Sequence, residues 1–186
     1  MVTDEETAAL VVRAQRGEPA ASDELVRRFL RAAYAVALAV LVHRADAEDI
    51  AQDALVMALA KIQTCRNPRA FKGWLFQIVR NHALNALDRR RVREVHASSR
   101  GGEPVVEEAV RPELLGQRER LLAALATIPA TQREIVLLHD LEDWTHAEIA
   151  QILQISEVMS RQHLFQARRA LRDVLAGMAP WSDDER

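Results

Sequence analysis

Between residues 93 and 116 the helical pattern of this chain stops. The stretch REVHASSRGGEPVVEEAVRPELLG holds a Ser-Ser-Arg-Gly-Gly run, two prolines and an acidic cluster at Glu103, Glu107, Glu108 and Glu113. Such a segment has too little apolar surface to offset the entropy of ordering it, so it reads as an acidic, flexible linker. On both sides of it apolar residues recur at helical spacing. The break therefore constrains the fold more than any motif does. It predicts two small units, residues 8–92 and 117–176, joined by the linker 93–116 and followed by a short tail, 177–186.

Both units read as helical. Almost half the residues are hydrophobic (49%), yet only 4% are aromatic, and 6 glycines and 6 prolines mark few turns in 186 residues. The fold class expected is all-α. A lone cysteine, Cys65, excludes an internal disulfide framework and fits a reducing cytoplasm. The N-terminus, MVTDEETAALVV, is acidic and does not read as a secretory signal. The longest apolar run, AAYAVALAVLV from Ala32 to Val42, falls short of the about 20 residues that cross a bilayer, so it reads as a buried helix and no membrane insertion is expected.

The formal charge is only −2, but it is unevenly distributed. Residues 64–100 hold nine basic and two acidic side chains, and residues 157–172 hold four basic and one acidic. The flanking segments are acidic. Two separated basic patches suggest two contacts with a polyanion, although a solvated, salt-bridged surface explains them equally well.

In the first unit, DELVRRFLRAAYAVALAVL reads as one long helix capped by Ser22, and DAEDIAQDALVMALAKI as a second capped by Asp46. The second helix turns Ile50, Ala54, Leu55, Met57, Ala58 and Ile62 to a core. Asp46, Asp49 and Asp53 line the opposite stripe, which is longer than capping requires. A loop, TCRNPRAFKG, then leads to a helix over about Phe71 to Arg91, FKGWLFQIVRNHALNALDRRR, with Trp74, Leu75, Ile78, Val79 and His82 inward and Gln77, Arg80, Asn81, Asn85 and Asp88 outward.

The second unit carries the sharper motif. Thr145 and Glu148 form a capping box before a short helix, HAEIAQIL. Gln154-Ile155-Ser156 is a tight turn, and Ser156 caps EVMSRQHLFQARRALRDVL. Two helices joined this way are the helix-turn-helix pattern, with Ala150 at their close approach. The second helix presents Arg161, Gln162, His163, Arg168 and Arg169; Arg and Gln are the side chains that read base edges bidentately, and Arg also grips phosphates. A plain helical hairpin is the alternative.

Taken in order, DELVRRF, DAEDIAQDAL, FKGWLFQIVRNHALNALDRRR and EIAQILQIS…RQHLFQARRALR resemble sigma factors of the extracytoplasmic-function class, two-domain subunits that direct bacterial RNA polymerase to promoters. The resemblance runs from about Leu10 to Leu175. It implies that Asp46, Asp49, Gln52 and Asp53 dock on the β′ subunit of core polymerase. It implies that the loop and helix carrying Arg66, Arg69, Lys72, Trp74, Arg80 and Asn81 open the minus-ten element and hold a flipped base, with Arg89, Arg90 and Arg91 on promoter phosphates. The energy for unstacking a base must come from such contacts. It implies that Ser156, Arg161, Gln162, His163, Arg168 and Arg169 serve the minus-thirty-five element. The linker would thread the polymerase channels. The partners implied are the polymerase core (β′ and β), promoter DNA and an anti-sigma factor, in the cytoplasm, with no cofactor.

Several positions depart from the family pattern. Gln154 stands where glycine is usual, at a left-handed turn residue, at a cost of about 1 kcal/mol. Ser160 replaces a buried valine, and an unpartnered buried hydroxyl there costs about 1–2 kcal/mol. These two predict a loosely packed recognition helix. Phe165 takes a position where a basic residue is common, and Val158 and Met159 take positions usually small. There is no phosphate loop or nucleophile motif, so no enzyme is expected. His139, Asp140, Asp143 and His146 crowd one turn, but caps and turn polarity explain them without a metal. An autonomous helix-turn-helix regulator or a helical adaptor remains as an alternative, distinguished by binding to core polymerase.

Overall fold

The computed structural model describes residues 4–99 and 116–177, with side chains described for 4–93 and 116–177. The acidic cluster of the linker and the tail with Trp181 lie outside the described residues. All regular structure among the described residues is helical: α1 (Asp4–Gln15), α2 (Pro19–Leu41), α3 (Arg44–Ala60), α4 (Phe71–Ser99), α5 (Gln117–Thr127), α6 (Ala130–Val136), α7 (His146–Leu153) and α8 (Glu157–Gly177). Two single 3₁₀ turns, Ile62–Thr64 and Pro68–Ala70, shape the loop before α4, and a π turn, Leu137–Leu141, extends α6.

Helix α2 is the axis of the first unit. Pro19 opens it, where the missing N–H costs nothing, and Val42 closes it in a left-handed conformation (φ 55°) with its N–H on the Leu38 carbonyl at 2.9 Å. Ser22 is therefore inside the first turn and not its cap. Asp46 is likewise not the cap of α3: His43 holds that place, its Nδ1 accepting from the Asp46 N–H at 3.3 Å. The polar residues that favour caps are not the ones used: Pro19 fixes the start of α2 four residues earlier than a Ser22 cap would, and an imidazole acts as the acceptor for α3. Helix α4 runs to Ser99, beyond Arg91 and into the segment assigned to the linker.

The run from Ala32 to Leu41 is buried on nearly every side, with Tyr34 partly exposed. A helix apolar all round needs packing all round. Helices α1, α3 and α4 supply it on one side, and α6 with its π turn on the other. Phe29 meets Phe71 and Phe76 edge-on at 5.5 and 6.0 Å, which ties α2 to α4. In the second unit Ile135, Leu138, Ile149, Ile152, Leu164, Ala167 and Leu171 close the core around α8.

Candidate nucleic-acid interface

The acidic stripe expected on α3 is there. Ala47, Ala51, Ala54, Leu55 and Ala58 face the core, and Asp46, Asp49, Gln52 and Asp53 lie on the opposite side. Asp49, Gln52 and Asp53 are exposed. Asp46 is half-covered, its carboxylate 3.4 Å from the His43 ring and 3.9 Å from Arg90. Val56, 68% exposed one turn beyond Gln52, continues this stripe with an apolar side chain. The alanines let α3 lie close on its neighbours, which leaves the long polar side chains nowhere to go but out.

The loop ahead of α4 is held by a residue far away in sequence. Gln15 of α1 donates from Nε2 to the carbonyls of Ile62 and Cys65, both at 2.9 Å, and Gln63 donates back to the Gln15 carbonyl. Asn67 Oδ1 accepts from the Arg69 N–H at 3.2 Å. Arg66 and Arg69 are exposed on this loop, Arg69 with Glu5 at 3.1 Å. Cys65 is buried, and burial pushes its thiol up.

On α4, Trp74, Gln77, Asn81 and Asn85 follow one another at three- and four-residue steps along one side. Asn81 is exposed and Trp74 half-buried, its ring 5.7 Å from Phe71. Trp74 thus lies at the margin of the core rather than within it. Lys72 and Arg80 do not share this side, although the sequence grouped them with Asn81. Arg89, Arg90 and Arg91 do not share one side of the helix either, because consecutive residues point about 100° apart. Arg89 folds back on the Asn85 carbonyl at 3.1 Å, Arg90 lies by Asp46, and Arg91 is 4.0 Å from Asp88.

Lys72 and Arg80 are turned to the second unit. Arg80 Nε donates to both carboxylate oxygens of Glu134 on α6, at 3.1 and 3.3 Å. Glu134 is 1% exposed; burial raises its pKa, and the Arg80 guanidinium offsets part of that. Lys72 pairs with Glu148 of α7 and stands 3.9 Å above the Trp144 ring. Burial pushes Glu148 up, but the bonds from Lys72 and from Thr145 outweigh it and its pKa is lowered. Trp144 packs edge-on against Phe76 of α4 at 4.6 Å. Arg31 of α2 pairs with Glu142 at 2.8 Å, and Arg133 donates to the Ala39 carbonyl at 2.7 Å.

The helix-turn-helix has the local geometry read from the sequence. Thr145 and Glu148 form the capping box. Gln154 takes the left-handed conformation (φ 55°), and the Ile155 N–H reaches back to the Ala150 carbonyl at 3.1 Å. Ser156 Oγ accepts from the Met159 N–H at 3.1 Å, which caps α8. The recognition helix is not loosely packed, however. Ser160 is fully buried and its hydroxyl is 2.9 Å from His146 Nδ1, so the polar atom has the partner it needs. Burial first, and then the charge of His139, lowers the His146 pKa and favours the neutral ring that this bond suits. His139 lies against His146 with ring centres 4.7 Å apart, and Asp140 accepts from Arg168 Nε at 2.9 Å. Among the described residues no such cluster is arranged to hold a metal ion.

Of the residues expected on DNA from α8, Gln162 is exposed, Arg169 is exposed with no ion pair among the described residues, Arg161 is held by Glu157 at 2.8 Å, Arg168 is held by Asp140, and His163 is half-buried. The sequence reading missed Gln15, Glu134 and Trp144. Only Trp144 left a signal: it is the one aromatic residue in a polar turn, HDLEDWTH. The roles of Gln15 and Glu134 depend on contacts 47 or more residues away.

Residues 25–93 match the family model for Sigma-70 region 2, and residues 118–171 match that for Sigma-70, region 4. The chain is 32% identical to the ECF RNA polymerase sigma factor SigE of Mycolicibacterium smegmatis, over 94% of this chain and 70% of that one. It is 29% identical to the ECF RNA polymerase sigma-E factor of Escherichia coli over 87% and 90%. Among solved structures it is similar to sigma factor RpoE in complex with the anti-sigma factor NepR from Bartonella quintana (TM-score 0.64, 27% identity, 84% of this chain and 98% of that one). It is also similar in fold to CnrH in complex with the cytosolic domain of CnrY (TM-score 0.68, 22% identity, 93% and 99%). The exposed acidic stripe, the ordered basic loop and the helix-turn-helix thus lie within the two regions that these models match: the chain belongs to the extracytoplasmic-function sigma factors, non-enzymatic RNA polymerase subunits that direct promoter recognition and transcription initiation.

Proposed function

We propose that the face of α3 bearing Asp46, Asp49, Gln52 and Asp53 docks on the β′ subunit of core polymerase, and that the second unit lies towards β. The observation that carries this is the separation on α3: alanines seal one side, and the four polar residues stand together on the other with Val56 beside them. A mixed acidic and apolar face of this kind suits a basic, amphipathic partner. The loop with Arg66 and Arg69 and the adjoining side of α4 with Trp74 and Asn81 engage the minus-ten element. An aromatic ring and a carboxamide on a rigid platform are what an unstacked base requires. Helix α8 enters the major groove of the minus-thirty-five element, with Ser156 and His163 setting its start and flank. Arg161, Gln162, Arg168 and Arg169 provide the contacts.

For Lys72 and Arg80 to reach promoter phosphates, they must leave Glu148 and Glu134. The two units therefore part when holoenzyme meets DNA, and Arg89, Arg90 and Arg91 supply cations that need no such opening. The same opening offers an anti-sigma factor a state to oppose. The closed arrangement and the relatives' complexes both favour such a partner here. No helix among the described residues is long and apolar enough to cross a membrane, and the site of action we propose is the cytoplasm.

Run-off transcription with bacterial core polymerase tests this reading, beside gel filtration of the mixture. Asp49→Arg with Asp53→Arg abolishes co-elution with core. Asn81→Ala leaves co-elution intact and lowers open-complex formation at least tenfold. Co-elution unaffected by the α3 double substitution would overturn the docking assignment.

A further inference from the structure

We propose that the outward line of α8 reads thymine through its 5-methyl group, with Val158 and Phe165 as specificity-determining residues in the minus-thirty-five element. This rests on the reading of α8 as the helix that enters the major groove. Ser160, Leu164, Ala167 and Leu171 are buried and define the inner side of α8. The line directly opposite, at steps of four, three and four residues, is Val158, Gln162, Phe165 and Arg169. Val158 is 69% and Phe165 65% exposed, and Met159 on the flank is 45% exposed. No structural role is left for Val158 or Phe165: neither belongs to the core or to the apolar residues packed against it.

The surroundings select the occupant. Each apolar residue on this line stands next to a residue that forms hydrogen bonds, Gln162 between Val158 and Phe165, and Arg169 beyond Phe165. Arg161 and Arg172 flank the line. The centre of a protein interface is depleted of charge, whereas here Arg161 lies one turn from both Val158 and Phe165, and Arg169 one turn from Phe165. The major groove offers the matching alternation. An adenine presents a donor and an acceptor that a Gln carboxamide takes together, and a thymine presents one acceptor and a methyl group that an apolar side chain covers. Helix-turn-helix proteins place the first residues of the recognition helix on base edges, and Val158 is the second residue of α8. Ser160 on His146 anchors the inner side of the helix.

Deoxyuridine in place of thymine deletes that methyl and nothing else, which makes the test specific. The substrate is a promoter selected from a library randomised in the minus-thirty-five element, transcribed by core polymerase with the full chain. Each thymine of the element is replaced in turn by deoxyuridine, and holoenzyme affinity is measured. One or two replacements weaken binding about fourfold each, the value for removing one buried methyl-sized group from an apolar contact. Phe165→Ala and Val158→Ala weaken binding to the thymine duplex by a similar factor and abolish the deoxyuridine effect at one position each. Phe165→Leu retains part of it. Circular dichroism and thermal unfolding confirm that these exposed substitutions leave the fold intact.

Indifference of the wild-type holoenzyme to deoxyuridine at every position, with transcription still dependent on the element, overturns the methyl reading and leaves the sigma assignment standing. Undiminished deoxyuridine sensitivity in both alanine variants, with loss of binding to a protein partner instead, overturns it and assigns the line to that partner. Failure to bind the element at all overturns the reading of α8 on which the proposal rests.

Discussion

Lys72 and Arg80 on α4 and Arg169 on α8 come from the two segments that give this chain its basic patches, yet the structure treats them oppositely. The α4 cations point into the second unit, where Glu148 and the buried Glu134 hold them. On α8, Arg169 faces solvent with no ion pair among the described residues, while Arg161 and Arg168 have Glu157 and Asp140 beside them. A cation beside a buried carboxylate is structural as long as the two units stay together, because withdrawing it leaves an uncompensated charge in a low dielectric. A cation on the outer side of a recognition helix has no buried partner to leave, so only the ordering of its side chain opposes its recruitment. Charge along a sequence thus locates candidates for DNA contact, but burial of the partner decides which of them are free to make it.

The comparison is open to experiment, and its largest expected effect lies at the contact between the units. Trp144→Ala removes a buried ring that covers Phe76 and carries Lys72. It is expected to cost about 3–5 kcal/mol by guanidinium unfolding. A cost below about 1 kcal/mol would show that the units hardly depend on each other. Arg80→Ala comes next, at about 3 kcal/mol, since it strands Glu134. Adding Glu134→Gln to it restores most of the loss. Arg169→Ala is the control on the other side of the comparison: it should change stability by less than about 0.5 kcal/mol while weakening DNA binding.

Two smaller effects sharpen the account of the recognition helix. Ser160→Ala removes the hydroxyl from His146 and costs about 1 kcal/mol. Gln154→Gly relieves a left-handed residue and stabilises by about 0.5–1 kcal/mol, part of the gain being returned through the more flexible unfolded chain. Equal and negligible changes in both would return the helix to the loosely packed state that the sequence suggested.

The smallest effect is a pH dependence. Chiefly through its bond from Arg168, Asp140 has a pKa below the usual carboxylate value. Its folded pKa is therefore lower than its unfolded one, so its contribution is present above the unfolded value and is lost as pH falls through the folded one. The stability advantage of wild type over Asp140→Asn should shrink on acidification and stay level at neutral pH. Glu134 has the opposite sign. Burial raises its folded pKa, so its contribution is present in acid and is lost as pH rises through that value. Glu134→Gln should gain on wild type as pH rises.

Local chemistry was legible in the sequence wherever neighbours in the chain complete it. The capping box of Thr145 and Glu148, the left-handed Gln154, the Ser156 cap, and the stripe of α3 all depend on residues at most four apart. Turn geometry and the period of the helix determine such features. Caps were misread where something other than the best capping residue set the helix start, as Pro19 and His43 do. The looseness expected of α8 failed for another reason: Ser160 is 14 residues from His146, and only the folded hairpin brings the hydroxyl to the imidazole.

By itself, then, the sequence determined that the chain is helical, that it divides in two, and which residues stand on the outer face of α3. Those follow from a 3.6-residue repeat and from short-range hydrogen bonds, whose energies do not depend on the rest of the fold. Only the tertiary structure decided that Gln15 holds the loop before α4. It alone decided that Lys72 and Arg80 belong to Glu148 and Glu134. The physical reason is that the free energy of an ion pair or a buried hydrogen bond depends on the partner's position and on the water excluded around it. Neither exists until helices distant in sequence have packed.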